Sequence, residues 1–202
     1  MTGFRPPPLA VAHDARWVQV DLHGDLAAWA RDTAADILER AGRAGPGGGA
    51  APRLTALLEG AGGLARGAGD AAIALLLFPT LADGIKAVGR LCLVDLAGRD
   101  EADAWAELMF SLADADAAEP PEITEIASPA GACRRIRQRY LYGEGRDRPV
   151  GEQVAYVWVL PEYGAGAVLT TGFTDLVEAG RWRAALDALA GGVELGAAGS
   201  AG

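Results

Sequence analysis

The chain has 202 residues, half of them hydrophobic and 22 % charged, and a formal net charge of −9. This balance belongs to a globular protein and excludes a disordered chain. The negative field argues against nucleic acid and anionic membrane surfaces as partners, because phosphate binding needs Lys and Arg; it suits solubility or, mildly, a basic protein partner.

The first elements follow from local pattern. Residues 1–15 read as an extended arm, since Pro6, Pro7 and Pro8 forbid a helix or a central strand. A short strand is expected over Arg16–Val20. A helix follows over Asp25–Ala41, with Leu26, Trp29, Thr33 and Ile37 at spacings of three and four, Asp21 or Asp25 as cap and Gly42 as stop. Gly45–Ala51 reads as an internal glycine connector. A second helix is expected over about Arg53–Ala65, with Leu54, Leu57, Leu58 and Leu64 as its apolar face. Gly60, Gly62 and Gly63 weaken it, each by about 1 kcal/mol relative to alanine.

The unbroken apolar run Ala71–Phe78, closed by Pro79, suits a strand buried on both faces, and Ile85–Leu96 is a second strand. A helix capped by Asp100 carries the stripe Ala102, Trp105, Leu108, Met109 and Leu112. After an acidic loop, Asp114–Glu119, four strands are expected near Glu122–Ala127, Ala132–Tyr142, Glu152–Leu160 and Ala165–Phe173. Val154, Tyr156 and Trp158 alternate with Ala155, Val157 and Val159, so the third of these has two apolar faces and should lie centrally. A last helix covers about Asp175–Ala190, with Trp182, Ala185, Leu186 and Leu189 inward. The expected fold is α+β: a mostly antiparallel sheet of about six or seven strands, flanked by helices on both faces. The expected organisation is an arm (1–15), one domain (16–195) and a flexible tail (196–202).

The apolar stretches are shorter than a membrane span, and Leu9–Ala12 is too short for a signal core, so a cytoplasmic location is expected. Cys92 and Cys133 lie 41 positions apart in strand patterns, which is neither a disulfide framework nor a zinc motif. His13 and His23, with Asp14, Asp21 and Asp25, match no ligand spacing. Ser111, Ser128 and Ser200 lack a nucleophile-elbow context, and no glycine-rich phosphate loop is present. Cys133 with either histidine is a formal thiol pair, but it sits in a strand and not at a helix N-terminus. No cofactor and no metal are expected.

One polar cluster stands out. Arg135, Arg137 and Arg139 alternate on one strand face with Arg134 opposite, and Arg146 and Arg148 follow in the next loop. Such a row can hold a carboxylate or phosphate group of a partner. The preferred alternative pairs it with acids on a neighbouring strand, such as Glu122 or Glu125.

Three segments also carry a resemblance: Trp17-Val18-Gln19-Val20, the pair Cys133–Arg137 and Val154–Pro161, and Val168–Phe173 followed by Leu186–Leu189. Their order looks like that of a family of proteins from high-GC bacteria, and the last part is similar to the PsbP-like superfamily. That resemblance implies an antiparallel sheet packed between helices, with members that bind proteins or other partners; it implies no catalytic residue here. The function expected is therefore non-enzymatic protein interaction, as an accessory or assembly component, through a protein partner or self-association. The alternatives are a cytoplasmic chaperone or immunity-type protein for a basic secreted effector, and a small-molecule binder or enzyme with a pocket between sheet and helices.

Overall fold

The computed structural model describes residues 6–43, 49–67, 71–112, 117–143 and 148–195. In chain order the elements are β1 (Leu9–Val11), β2 (Trp17–Gln19), α1 (Leu26–Arg40), α2 (Ala50–Gly67), β3 (Ala71–Leu77), β4 (Ala87–Asp95), α3 (Glu101–Leu112), β5 (Glu122–Ser128), β6 (Gly131–Leu141), β7 (Val150–Leu160), β8 (Ala165–Phe173), α4 (Leu176–Gly191) and β9 (Val193–Leu195). A single 3₁₀ turn, Pro161–Tyr163, links β7 to β8. The fold is α+β, with a seven-stranded antiparallel sheet in the order β2-β3-β4-β8-β7-β6-β5 and a two-stranded sheet of β1 and β9. The chain divides into two compact units, residues 1–14 with 91–202, and residues 15–90. Among the described residues no helix is long and apolar enough to cross a membrane.

In the smaller unit, β2 pairs antiparallel with β3, Val18 opposite Leu76. Asp25 caps α1, its carboxylate accepting from the N–H groups of Ala27 and Ala28 at 2.9 and 3.2 Å. Asp21 instead closes the turn before it, accepting from His23 and Gly24. Those two backbone donors, Gly24 first, hold the Asp21 carboxyl below its usual value. The buried side of α1 is Ala30, Ala34, Ile37 and Leu38, rotated from the expected stripe, and α2 starts at Ala50, inside the expected connector. On α2, Leu54, Leu58, Gly62 and Ala65 are buried, while Leu57 and Leu64 are exposed. Gly62 explains the rotation. A Cβ there would stand 2.7 Å from Leu26 and 3.0 Å from Trp29, so its missing side chain is what lets α1 approach.

In the larger unit, β7 lies between β6 and β8, and Tyr156, Val157 and Trp158 are fully buried, as expected of a central strand. Its two faces differ. On one, Ile136, Ala155, Val157 and Val168 pack against Ala104 and Leu108 of α3. A Cβ at Gly166 of β8 would lie 2.9 Å from Leu108, so this glycine sets how closely α3 sits on the sheet. The other face is covered by α4, which Asp175 caps through the N–H groups of Val177 and Glu178. The N-terminal segment is fastened to the same unit, with Leu9 opposite Leu195 and Val11 opposite Val193. The Ser128 hydroxyl donates to the Val193 carbonyl at 3.0 Å, tying β9 to the β5–β6 turn.

Candidate functional site

Alternation along β6 puts Cys133, Arg135, Arg137 and Arg139 on the α4 side of the sheet. Register then decides their neighbours. Arg135 lies opposite Thr124 on β5 and Tyr156 on β7; Arg137 lies opposite Glu122 and Val154; Arg139 lies opposite Glu152. One Nη of Arg135 donates to both oxygens of Asp187 on α4, at 3.1 and 2.9 Å, and Tyr156 donates its hydroxyl to the same carboxylate at 2.7 Å. Arg137 pairs with Glu122 at 2.5 Å. Arg139 is 3.4 Å from Glu119. Beneath them Glu152, only 2 % exposed, stands 3.8 Å from Arg137, 3.8 Å from Arg139 and 3.5 Å from Arg183 of α4.

Each of the three strand arginines thus reaches a carboxylate of its own protein. Glu122 is the partner anticipated from sequence; Glu125 is not, because it lies on the opposite face of β5, across from Arg134. Asp187, Glu152 and Glu119 join from other elements. Arg148 donates to the Leu141 carbonyl at the end of β6, and Arg146 lies outside the described residues.

The network also fixes the chemistry of its neighbours. Burial, reinforced by the hydrogen bond to Asp187, drives the Tyr156 phenol well above its ordinary value. Burial pushes the Cys133 thiol up to about 12, with the Asp187 charge adding to it. A buried thiol held protonated at neutral pH is a packing group and a poor nucleophile. His13 and His23 are exposed, and no cluster of three potential ligands is found among the described residues.

The opposite side of the sheet carries charge of another kind. There Arg134 lays its guanidinium over the Trp105 ring of α3, 4.1 Å from the centroid. Beside it a cleft of about 380 Å³ opens between the start of α3, the β5–β6 turn and the 3₁₀ turn. Its wall includes Trp105, Val159, Leu160 and Tyr163, with Glu101 and Glu162 on it. Neither glutamate forms an ion pair among the described residues, nor does Glu125 on β5. Sequence reasoning missed this cleft. Its lining comes from segments around 101–105, 129–132 and 159–163 and from Leu195, which no local periodicity joins.

The strand β5 ends the sheet order, so one of its edges has no strand partner among the described residues. Ile123, Glu125 and Ala127 share its α3-side face and are all exposed, Ile123 by 51 %. Comparison with known proteins finds no matching family model, curated protein or solved structure.

Proposed function

We propose that this chain is a non-enzymatic protein-interaction component that captures an extended basic segment of a partner on the outer edge of β5. The observation that carries this reading is the edge itself. Seven residues without proline or glycine have no strand partner on one side among the described residues, beside the exposed Ile123 and Glu125, which forms no ion pair among them. An open edge of this kind is a template for strand addition, in which backbone hydrogen bonds supply affinity and alternate side chains supply selectivity.

Charge selects the occupant. A symmetric antiparallel pairing of two β5 strands would set Glu125 against Glu125, since it is the middle residue of Glu122–Ser128, and like charges directly opposite destabilise a pair. A basic strand meets the same residue favourably, and the net charge of −9 steers it there. The resemblance to the PsbP-like superfamily, whose members bind proteins or other partners, supports the same reading.

The test is a titration of a synthetic nine-residue peptide of alternating valine and lysine, with a valine–glutamate peptide as control. The lysine peptide is expected to bind, and Glu125→Lys or Ile123→Asp to weaken it by tenfold or more. Equal binding of both peptides, or binding insensitive to Glu125, would overturn the reading.

A further inference from the structure

We infer that the cleft at the β5–β6 turn is an arginine side-chain pocket. The stem of an arginine would lie on Val159 and Leu160, and its guanidinium would be held by Glu101 and Glu162 beside the rings of Trp105 and Tyr163. Three features of the cleft converge on that ligand. The first is size: about 380 Å³ is at the small end of ligand pockets, which span roughly 300–1,000 Å³, and suits one long side chain better than a cofactor. The second is the mix of walls. Arginine has an apolar stem and a planar cation that stacks on aromatic rings and takes carboxylates bidentately, so apolar, aromatic and acidic walls together match it part by part. Lysine carries a compact, strongly hydrated charge and uses the rings less well.

The third is a precedent within the protein. Trp105 already accepts a guanidinium, that of Arg134 at 4.1 Å. Trp105 lines the cleft and Arg134 does not. The position of Glu101 in the first turn of α3 is explained by the helix dipole as well. That of Glu162, on the 3₁₀ turn with no basic partner among the described residues, is not.

That the arginine belongs to the partner strand rests on the function proposed above, since the β5–β6 turn, Pro129–Ala130, borders both the strand edge and the cleft. The pocket itself is tested separately, with N-acetyl-arginine amide and its uncharged isostere N-acetyl-citrulline amide, by backbone and indole NMR shifts of the full chain. The arginine compound is expected to shift the Trp105 indole and residues 159–163 saturably. The citrulline compound should do so at least fivefold more weakly, and a Glu101→Gln/Glu162→Gln variant with unchanged dichroism should lose the response. Equal shifts from both compounds, or no shifts at these positions, would overturn the pocket even if the valine–lysine peptide binds β5, and the strand reading would then stand alone. Arginine shifts without any peptide binding would retain the pocket and remove the strand reading. In the valine–lysine peptide, one arginine placed in the register that reaches the turn should raise affinity about fivefold in the wild type and not in the double variant. A failure at every position would overturn the assignment of the pocket to the partner strand.

Discussion

On the α4 side of the sheet, Arg135, Arg137 and Arg139 each reach a carboxylate, and Glu152 is buried among three guanidiniums. On the α3 side, Glu101, Glu125 and Glu162 reach no cation among the described residues. From the sequence the arginines are the more conspicuous group. In the structure each of them is ion-paired, although the buried Nε atoms of Arg139 and Arg183 have no hydrogen-bond partner among the described residues. A charge already ion-paired within the protein has less to offer a ligand than an exposed carboxylate that forms no ion pair. On the function proposed above, the first set serves stability and the second recognition.

That division is sharpest at Glu152. Glu152→Gln leaves Arg137, Arg139 and Arg183 facing a buried neutral amide, and should destabilise the protein by about 3 kcal/mol, at the lower end for a broken buried pair because these guanidiniums reach solvent. The shift in urea midpoint measures it, and a change below about 0.5 kcal/mol would break the assignment. Asp187→Asn comes next, at about 2 kcal/mol, because Arg135 and the Tyr156 hydroxyl lose the charge they share while their hydrogen-bond geometry survives. Neither variant should change affinity for the basic peptide.

Alkaline titration probes the same face. The folded-state thiol of Cys133 lies above its unfolded value of 9.0, near 12. Its stabilising contribution is therefore complete below pH 9 and is lost as pH rises towards 12; Tyr156 adds a loss in the same direction above pH 10. Cys133→Ala should lower stability at pH 7 by leaving a small cavity, yet flatten its decline between pH 9 and 12. An unchanged slope would show that the thiol is not what the pH dependence reports.

The smallest stability effects belong to the recognition set. Glu101→Gln, Glu125→Gln and Glu162→Gln should each move stability by less than about 0.5 kcal/mol. Peptide binding by the wild type should weaken steeply as salt rises from low to physiological strength, because the charges involved are exposed. Salt-independent binding would point to an apolar interface around Ile123.

How much of this was readable from the chain follows from where each signal lies. Ala165–Phe173 is bounded as observed, and the double apolar face of Val154–Val159 places the strand expected over Glu152–Leu160, observed over Val150–Leu160, centrally, because strand period and burial are written in adjacent residues. The helix faces were less legible. At the contact of α1 and α2 the residues are small, Ala30, Ala34, Gly62 and Ala65, and hydropathy gives them less weight than Leu57 and Leu64, which are exposed. The pairing of Leu9–Val11 with Val193–Leu195 was beyond local pattern, since two three-residue strands become regular only against each other. The arginine row was legible as a row. Its main partner, Asp187, comes from 52 residues downstream on a helix, and the cleft comes from four separate segments.

The central claim is that the open edge of β5, and not the arginine face, receives a partner. Amide hydrogen exchange read by NMR, with and without saturating valine–lysine peptide, tests it most directly. The account predicts that alternate amides within Ile123–Ala127 become protected while those of β6 between Arg135 and Arg139 are unchanged. Unaltered exchange along β5, or new protection confined to the arginine face, would contradict it.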